Sequence, residues 1–590
     1  MHTQTHSRPK RFLSRCRIQL KLTIRSSVLK SLAKAILPGF ILLFSFLSSP
    51  AHAAGVAVPN AGTILQQAQP VTPQTPSPNE TGLTIEQPNG GTLPPSAPFE
   101  VKTIQITGNT LFDTATLHKL VADIEGQSVT LTQLNQAITR ITNFYHDKGY
   151  PLARAIIPAQ TIQDGVVRIE IVEARYGRVS LDNQSRVNTP LLASTLSTLQ
   201  SGQPIAQASM DHALLLLSDI PGVVVNATLK PGQTVGTSDL AVDASTGATV
   251  SGNLALDNYG NRFTGRDRAG ATINFLNPLH HGDYLSLNGL TSGTDLNYGR
   301  VAYDTLLNGQ GTRIGGSYSA LHYILGDTLA DINGHGTAQT GSLWLKQPLL
   351  RTRDVNLYGQ LQYDHLQLRD HIDVVNIQTD RHLGNWTANL TGDARDTRLS
   401  TDAVTTWNLG VTSGQVDFDN PAALSADAAG ARTQGRFLKW DLSLTRLQSL
   451  SQQNAVYLSF TGQKANGNLD SSQQLPVGGP YSVRAYDTSV ISGDTGYVLT
   501  AEFRRNLGAV QQGQLQGVAF VDGAHLTVNQ NPFVAGTNTA TLTGAGVGIS
   551  WAGPKLWSAR TYVAAPIGSR PELVGPTSSV RAWLEVDKGF

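Results

Sequence analysis

The 590-residue sequence has side chains able to do chemistry, but they never fall at a catalytic spacing. There is no Gly-rich loop ending in Lys-Ser or Lys-Thr, no His-Glu-x-x-His and no Gly-x-Ser-x-Gly elbow. The 14 His are scattered, and the pair His280-His281 falls in a predicted turn, Asn277 to Asp283, where a solvated surface pair is the plain reading. The sequence therefore predicts no catalytic residue, no metal site, no cofactor and no enzyme. Without a nucleotide site, any transport must draw on the cargo for its driving force. One pattern does aim a charge inward: Phe520 and Asp522 share one face of a predicted strand, while Ala519 and Val521 take the other.

Composition narrows the class. Charged residues make up 15% against the ~25% of an average soluble protein, and 40% of the chain is hydrophobic, too much for disorder. The apolar residues lie in short alternating runs, so helical membrane spans are not expected beyond the N-terminus. The net charge of +2 hides an asymmetry. Residues 1–54 hold nine basic side chains, from Arg8 to Lys34, and no acid, so the remainder is net acidic. A nucleic-acid partner is excluded on that ground, since phosphate binding needs a basic face.

Residues 1–53 read as a secretory signal peptide: a basic stretch, an apolar run from Ala35 to Leu47, and Ala51-His52-Ala53 as a small-residue cleavage pattern. The alternative, an anchor helix, is interrupted by Pro38 and Gly39 and is short of the ~20 residues that a span needs. The one cysteine, Cys16, lies in this leader, so the exported chain has no disulfide to rely on. Residues 54–98 form a Pro/Gln/Thr-rich linker. Within it Gly62 to Gln69 can form a short helix, though a disordered tether is its plainer reading.

From Phe99 the pattern becomes α+β. In residues 99–174, Val101, Ile104 and Ile106 suggest a strand, and Asp113 can cap a helix carrying Leu117, Leu120, Val121 and Ile124. Leu134, Ile138, Ile141 and Tyr145 mark a second helix stopped at Gly149. Strands Ala153 to Ile157 and Val166 to Val172 close the unit. The same order returns in residues 175–248: a strand at Arg178 to Leu181, a helix from Pro190 to Leu199, and a helical stripe of Met210, Leu214 and Leu217. Val223 to Leu229 and Leu240 to Val242 complete it, giving an internal structural repeat.

Residues 249–590 alternate with period two. Leu438, Trp440, Leu442 and Leu444 alternate with Lys439, Asp441, Ser443 and Thr445, and Leu357, Gly359, Leu361 and Tyr363 form another outward set. At the end Val580, Ala582, Leu584 and Val586 alternate with Arg581, Trp583, Glu585 and Asp587, and the chain stops at Phe590. An apolar outer face, a charged inner face and a terminal aromatic describe a transmembrane barrel strand. At about 20 residues per strand and connection, this region predicts about 16 antiparallel strands. A β-sandwich or β-helix also alternates, but its core would have to bury those charges.

A signal peptide, a Pro/Gln linker, two α+β units and a Phe-terminated barrel together resemble the TpsB transporters of two-partner secretion. These are the haemolysin and filamentous-haemagglutinin secretion/activation proteins of Gram-negative outer membranes. In that family the α+β units are polypeptide-transport-associated (POTRA) domains, and Ile106-Thr107-Gly108-Asn109-Thr110-Leu111-Phe112 resembles their first signature. Gly478-Gly479-Pro480-Tyr481-Ser482-Val483-Arg484-Ala485-Tyr486 is similar to the family's loop that folds into the lumen, with Ala485 where Gly is usual. Phe520-Val521-Asp522-Gly523-Ala524 is similar to its partner strand motif, with Ala524 where Gly is usual. The resemblance implies that Arg484 descends to Asp522 in a water-filled pore, joined by two directional hydrogen bonds. Any left-handed backbone at the two alanines would be strained.

The resemblance also implies a function. A large exoprotein with an N-terminal secretion domain is the expected partner, together with outer-membrane lipid and, during biogenesis, the barrel-assembly machinery that reads Phe590. The POTRA domains would face the periplasm. The edge strand Ala153, Arg154, Ala155, Ile156 and Ile157 is the candidate site for adding a strand of substrate; the competing reading is an inert edge blunted by Pro151 and Pro158. The alternatives are a barrel-assembly insertase, which usually has more POTRA units, and a passive porin or receptor.

Overall fold

The computed structural model describes residues 58–69, 76–86 and 96–590. The signal peptide read at 1–53, its cleavage pattern, Cys16 and the Pro94-Pro95 end of the linker lie outside the described residues.

The first α+β unit packs a three-stranded sheet against one long helix. Thr103–Thr107 runs parallel to Val166–Val172, and Arg154–Ile156 pairs antiparallel with the far side of Val166–Val172. Helix Leu131–Asp147 buries Leu134, Ile138, Ile141 and Tyr145 on that sheet, starts in a Thr130/Gln133 capping box and ends at Gly149, whose φ of +87° suits glycine. Two expectations change. The single early strand breaks at Lys102, because the amides of Lys102 and Thr103 both turn to Gly165 O, and Phe99–Val101 pairs instead with Gln127–Val129. The helix capped by Asp113 covers only Thr114–His118 and gives way to a 3₁₀ turn at Ala122–Ile124; Leu117 and Val121 are fully buried all the same.

The second unit repeats this plan with Arg175–Asn183, helices Thr189–Leu196 and Gln207–Ser218, and strands Val223–Pro231 and Thr237–Thr246. Its sheet has a fourth strand that the repeat does not supply. Leu83–Ile85, from the linker, lies parallel to Ala227–Leu229 at the edge.

Sixteen antiparallel strands, from Val250–Asp257 to Arg581–Gly589, form a closed barrel. The seam joins Asn253–Asp257 to Glu585–Gly589, and Phe590 extends it by exchanging backbone hydrogen bonds of 2.9 Å with Gly252. Alternation sorts the side chains as expected: on the last strand Leu584 is 52% exposed and Trp583 1%. Trp440, Leu442 and Leu444 likewise face outward. Among the described residues no helix is long and apolar enough to cross a membrane, whereas strands of this kind are.

Candidate functional site

Among the described residues the lumen holds two segments that do not belong to the wall. The first is the loop between strands Leu475–Val477 and Ile491–Gly493. Gly478 and Gly479 turn it inward with φ of +105° and +98°, and a Cβ on Gly478 would lie 2.2 Å from Asp487 O, so glycine is required there. Inside the barrel Arg484 Nε donates to Asp522 Oδ2 at 2.9 Å, Nη2 to Asp522 Oδ1 at 2.8 Å, and Nη1 to Glu502 Oε1 at 2.7 Å. The Arg484 amide also donates to Asp522, and its carbonyl accepts from Trp583 Nε1 at 2.7 Å. The guanidinium carbon lies 3.4 Å from the Phe520 ring centroid.

This clamp is not wet. Arg484 is 3% exposed and Asp522 0%, inside an apolar shell that includes Val483, Ala485, Tyr486, Phe520 and Ala524. The expected water-filled setting is therefore corrected: the loop brings its own apolar residues and excludes solvent from the ion pair. The two alanines are accommodated as well, since neither Ala485 nor Ala524 has a positive φ. Gly544 makes the room at Ala485, because a Cβ built on it would come within 2.4 Å of the Ala485 Cβ. Glu502, Thr500 and Trp583 escape the motif reading. The signal for the first two was present in Thr500, Glu502 and Arg504, three polar side chains on the inward face of strand Thr495–Val510, and Trp583 was read on the inner face of the last strand without its partner.

The second segment is the linker helix Ala61–Ala68, which is ordered against the wall where the sequence favoured a tether. Asn60 and Thr63 form a capping box, and Asp370 Oδ1 accepts from the Ala61 amide at 2.6 Å, where a carboxylate suits the positive helix end. Asp370 is itself held by Tyr323 OH and by Arg381 Nη1, and Arg381 also bonds Asp470. Gln66 Nε2 donates to Ser472 O and Gln474 O at 2.8 and 2.9 Å. Ala61, Ile64, Leu65 and Ala68 are buried against wall residues such as Leu296, Tyr298, Leu366 and Leu383. The sequence hid this because an eight-residue stretch with so little apolar surface has no core of its own to fold on.

In the first α+β unit the candidate edge is shorter than expected. Only Arg154–Ile156 pairs; Ala153 faces the core and Ile157 falls beyond the ladder. The Ala155 amide, pointing away from its partner strand, donates to Thr142 Oγ1 on the long helix at 3.0 Å. An incoming strand must compete with that hydroxyl.

Comparison with known proteins agrees with this architecture. Residues 236–551 match the model of the haemolysin secretion/activation protein family ShlB/FhaC/HecB, and residues 99–174 match the ShlB-type POTRA domain. The chain is 25% identical to the heme/hemopexin transporter protein HuxB of Haemophilus influenzae over 97% of this chain and 100% of that one. It is 26% identical to the outer membrane transporter CdiB of Escherichia coli over 82% and 80%. The solved structure of Escherichia coli CdiB superposes with a TM-score of 0.66 at 22% identity, covering 89% of this chain and 95% of that one.

Proposed function

We propose, from the premise that this chain belongs to the haemolysin secretion/activation protein family, that it exports a large partner exoprotein and does so without ATP. It is an outer-membrane transporter, a sixteen-strand barrel with POTRA structure on the periplasmic side. The family match speaks for export over barrel insertion, and the relatives include hemolysin transporter proteins of Proteus mirabilis and Serratia marcescens.

The observation that carries the reading is the chain's own helix lodged inside the lumen, held there by hydrogen bonds and apolar contact with no ion pair from its own side chains. A passive porin has no use for such an obstruction; a pore for an unfolded polypeptide must stay shut between cargoes. In this reading the exoprotein's N-terminal secretion domain is captured in extended form at the edge Ala153 to Ile157, in the unit spanning 99–174. The unit spanning 175–248 passes it to the barrel of 249–590, and Arg484 with Asp522 fixes the loop past which it moves. Lipid surrounds the barrel, and Phe590 serves as the signal read by the barrel-assembly machinery. Folding of the cargo outside the cell, with no route back, supplies the direction.

Deletion of residues 99–174 tests this. The expected outcome is a heat-modifiable barrel still present in the outer membrane and no exoprotein in the medium, because capture and barrel folding reside in separate units. Export at the parent level would overturn the reading.

A further inference from the structure

The two α+β units place equivalent strands at equivalent edges: Arg154–Ile156 in the first and Val223–Pro231 in the second each follow the second helix and pair on one side only with the next strand of their own unit. Among the described residues the first edge pairs with no further strand. The second is covered by Leu83–Ile85 of the linker. We propose that Val223–Pro231 is a second strand-addition site for the exported polypeptide, occupied at rest by the chain's own linker, which the cargo displaces. This rests on the export reading and adds to it a binding surface and its resting occupant.

Four observations carry it. The linker is fitted to the edge: the Ala227 amide donates to Gly82 O at 3.0 Å, and the Glu86 amide donates to Leu229 O at 2.9 Å. Gly82 has φ of +60°, and a Cβ there would lie 2.4 Å from Val225 O, so this approach is open only to glycine. Leu83 and Ile85 pack on the core of the second unit, so the occupant has the alternating apolar pattern that a substrate strand would need. The cover is also partial: among the described residues the linker pairs with Ala227–Leu229, whereas the edge starts at Val223 and Val224 is exposed. A longer strand can start beside the linker, gain more of the ladder than the linker holds, and peel it away.

Displacement has a structural consequence, because only residues 69–82 separate this strand from the lumenal helix. Between them the chain is pinned to the periplasmic turns of the barrel. Arg395 Nη2 donates to Ser77 O at 2.6 Å, Arg351 Nη2 to Pro78 O at 2.8 Å, and Arg353 Nη2 to Thr81 Oγ1 at 3.1 Å. Arg351 and Arg353 also hold Asp219 and Asp211 of the second unit. The strand and the pins thus form a strap on the stretch of chain that leads to the helix, and in this proposal cargo bound at the strand frees the helix to leave the lumen.

The test locks the strap. Thr84 and Thr228 are register partners, with Thr84 exposed and Thr228 half-buried, so Thr84→Cys with Thr228→Cys can be bridged in a Cys16→Ser background that has no other cysteine. In the full-length protein, oxidation should cut secretion of the partner exoprotein at least tenfold, reductant should restore it, and both single-cysteine variants should secrete normally under either condition. Planar-bilayer conductance gives a readout that needs no exoprotein: large openings should be rarer in the bridged channel and return on reduction. Normal secretion by protein shown to be bridged would overturn the strand exchange and leave the export reading standing. If the parent chain itself exported nothing, the export reading would fall, and equal conductance of bridged and reduced channels would then overturn the strap as well.

Discussion

The loop at Val483–Tyr486 and the helix Ala61–Ala68 both fill the lumen, yet they are attached in opposite ways. The loop carries the buried charge: Arg484 belongs to the occupant, and withdrawing it would leave Asp522 buried without its cation, while Glu502 keeps Arg504. The helix carries no charged side chain at all. The charges beneath it, Asp370, Arg381 and Asp470, all sit on the wall and in its loops and stay paired with one another when the helix leaves. Breaking a buried ion pair by removing one partner costs about 3–5 kcal/mol, whereas giving up a hydrogen bond that water can replace costs about 1 kcal/mol. One occupant is built to stay and the other to be released, and the difference lies in which side of the contact holds the charge.

The severest way to break that contrast is Arg484→Ala. It should lower barrel stability by about 3–5 kcal/mol, seen as a lower urea midpoint for loss of the heat-modifiable form, and should abolish export. Asp522→Ala should be milder, because Arg484 keeps Glu502 as a partner. The double variant should fall well short of the sum, since the second substitution removes a charge that the first has already orphaned. Additive losses, or full export by Arg484→Ala, would mean that the loop is not held as a unit.

The helix calls for the opposite result. Gly62 packs so closely that a Cβ would come within 2.5 Å of Ser471 Oγ and 2.6 Å of the Ser472 amide nitrogen. Gly62→Val should therefore unseat the helix, with overpacking of about 1–3 kcal/mol acting on that contact alone. Bilayer recordings should show more frequent large openings, while the urea midpoint of the barrel stays at the parent value. A variant that destabilised the barrel as much as Arg484→Ala would erase the distinction between the two occupants.

How much of this was legible depended on whether a signal repeats or depends on a distant partner. Sixteen strands could be read because alternation recurs in each one, and Leu584 against Trp583 shows how cleanly a lipid face and an inner face sort. The α+β repeat was legible for the same reason, down to Gly149 and the cap at Asp113. Arg484 and Asp522 were found by motif, 38 positions apart. Their dryness was not, because the shell comes from several strands and from the loop's own apolar residues. The linker gave least: Ala61–Ala68 and Leu83–Ile85 are too short to show a period, and each becomes regular only on a surface supplied hundreds or scores of residues away.

The smallest effect concerns a third buried carboxylate, and it isolates what a charged partner adds. Glu173 ends the first α+β unit and accepts from the Thr110 amide at 2.7 Å, the Leu111 amide at 2.9 Å, Tyr145 OH at 2.8 Å and the Thr110 hydroxyl; its nearest cation, Arg175, is 3.8 Å away. Burial pushes this carboxyl up, but the hydrogen bonds to its charged form prevail and hold it below the ordinary value of 4.5. A depressed folded value means that the contribution is complete above pH 4.5 and is lost as pH falls below it, through the folded value. The first unit should therefore loosen in that range, and Glu173→Gln, which cannot titrate, should remove this part of the pH dependence at a cost of about 1 kcal/mol at neutral pH. Hydrogen exchange at Thr110 and Leu111, followed from pH 6 down to about 3, reads both effects. A loss as large as that of Arg484→Ala would show that neutral donors bind a buried carboxylate as firmly as a guanidinium does, and the charge-based contrast between loop and helix would have to be abandoned.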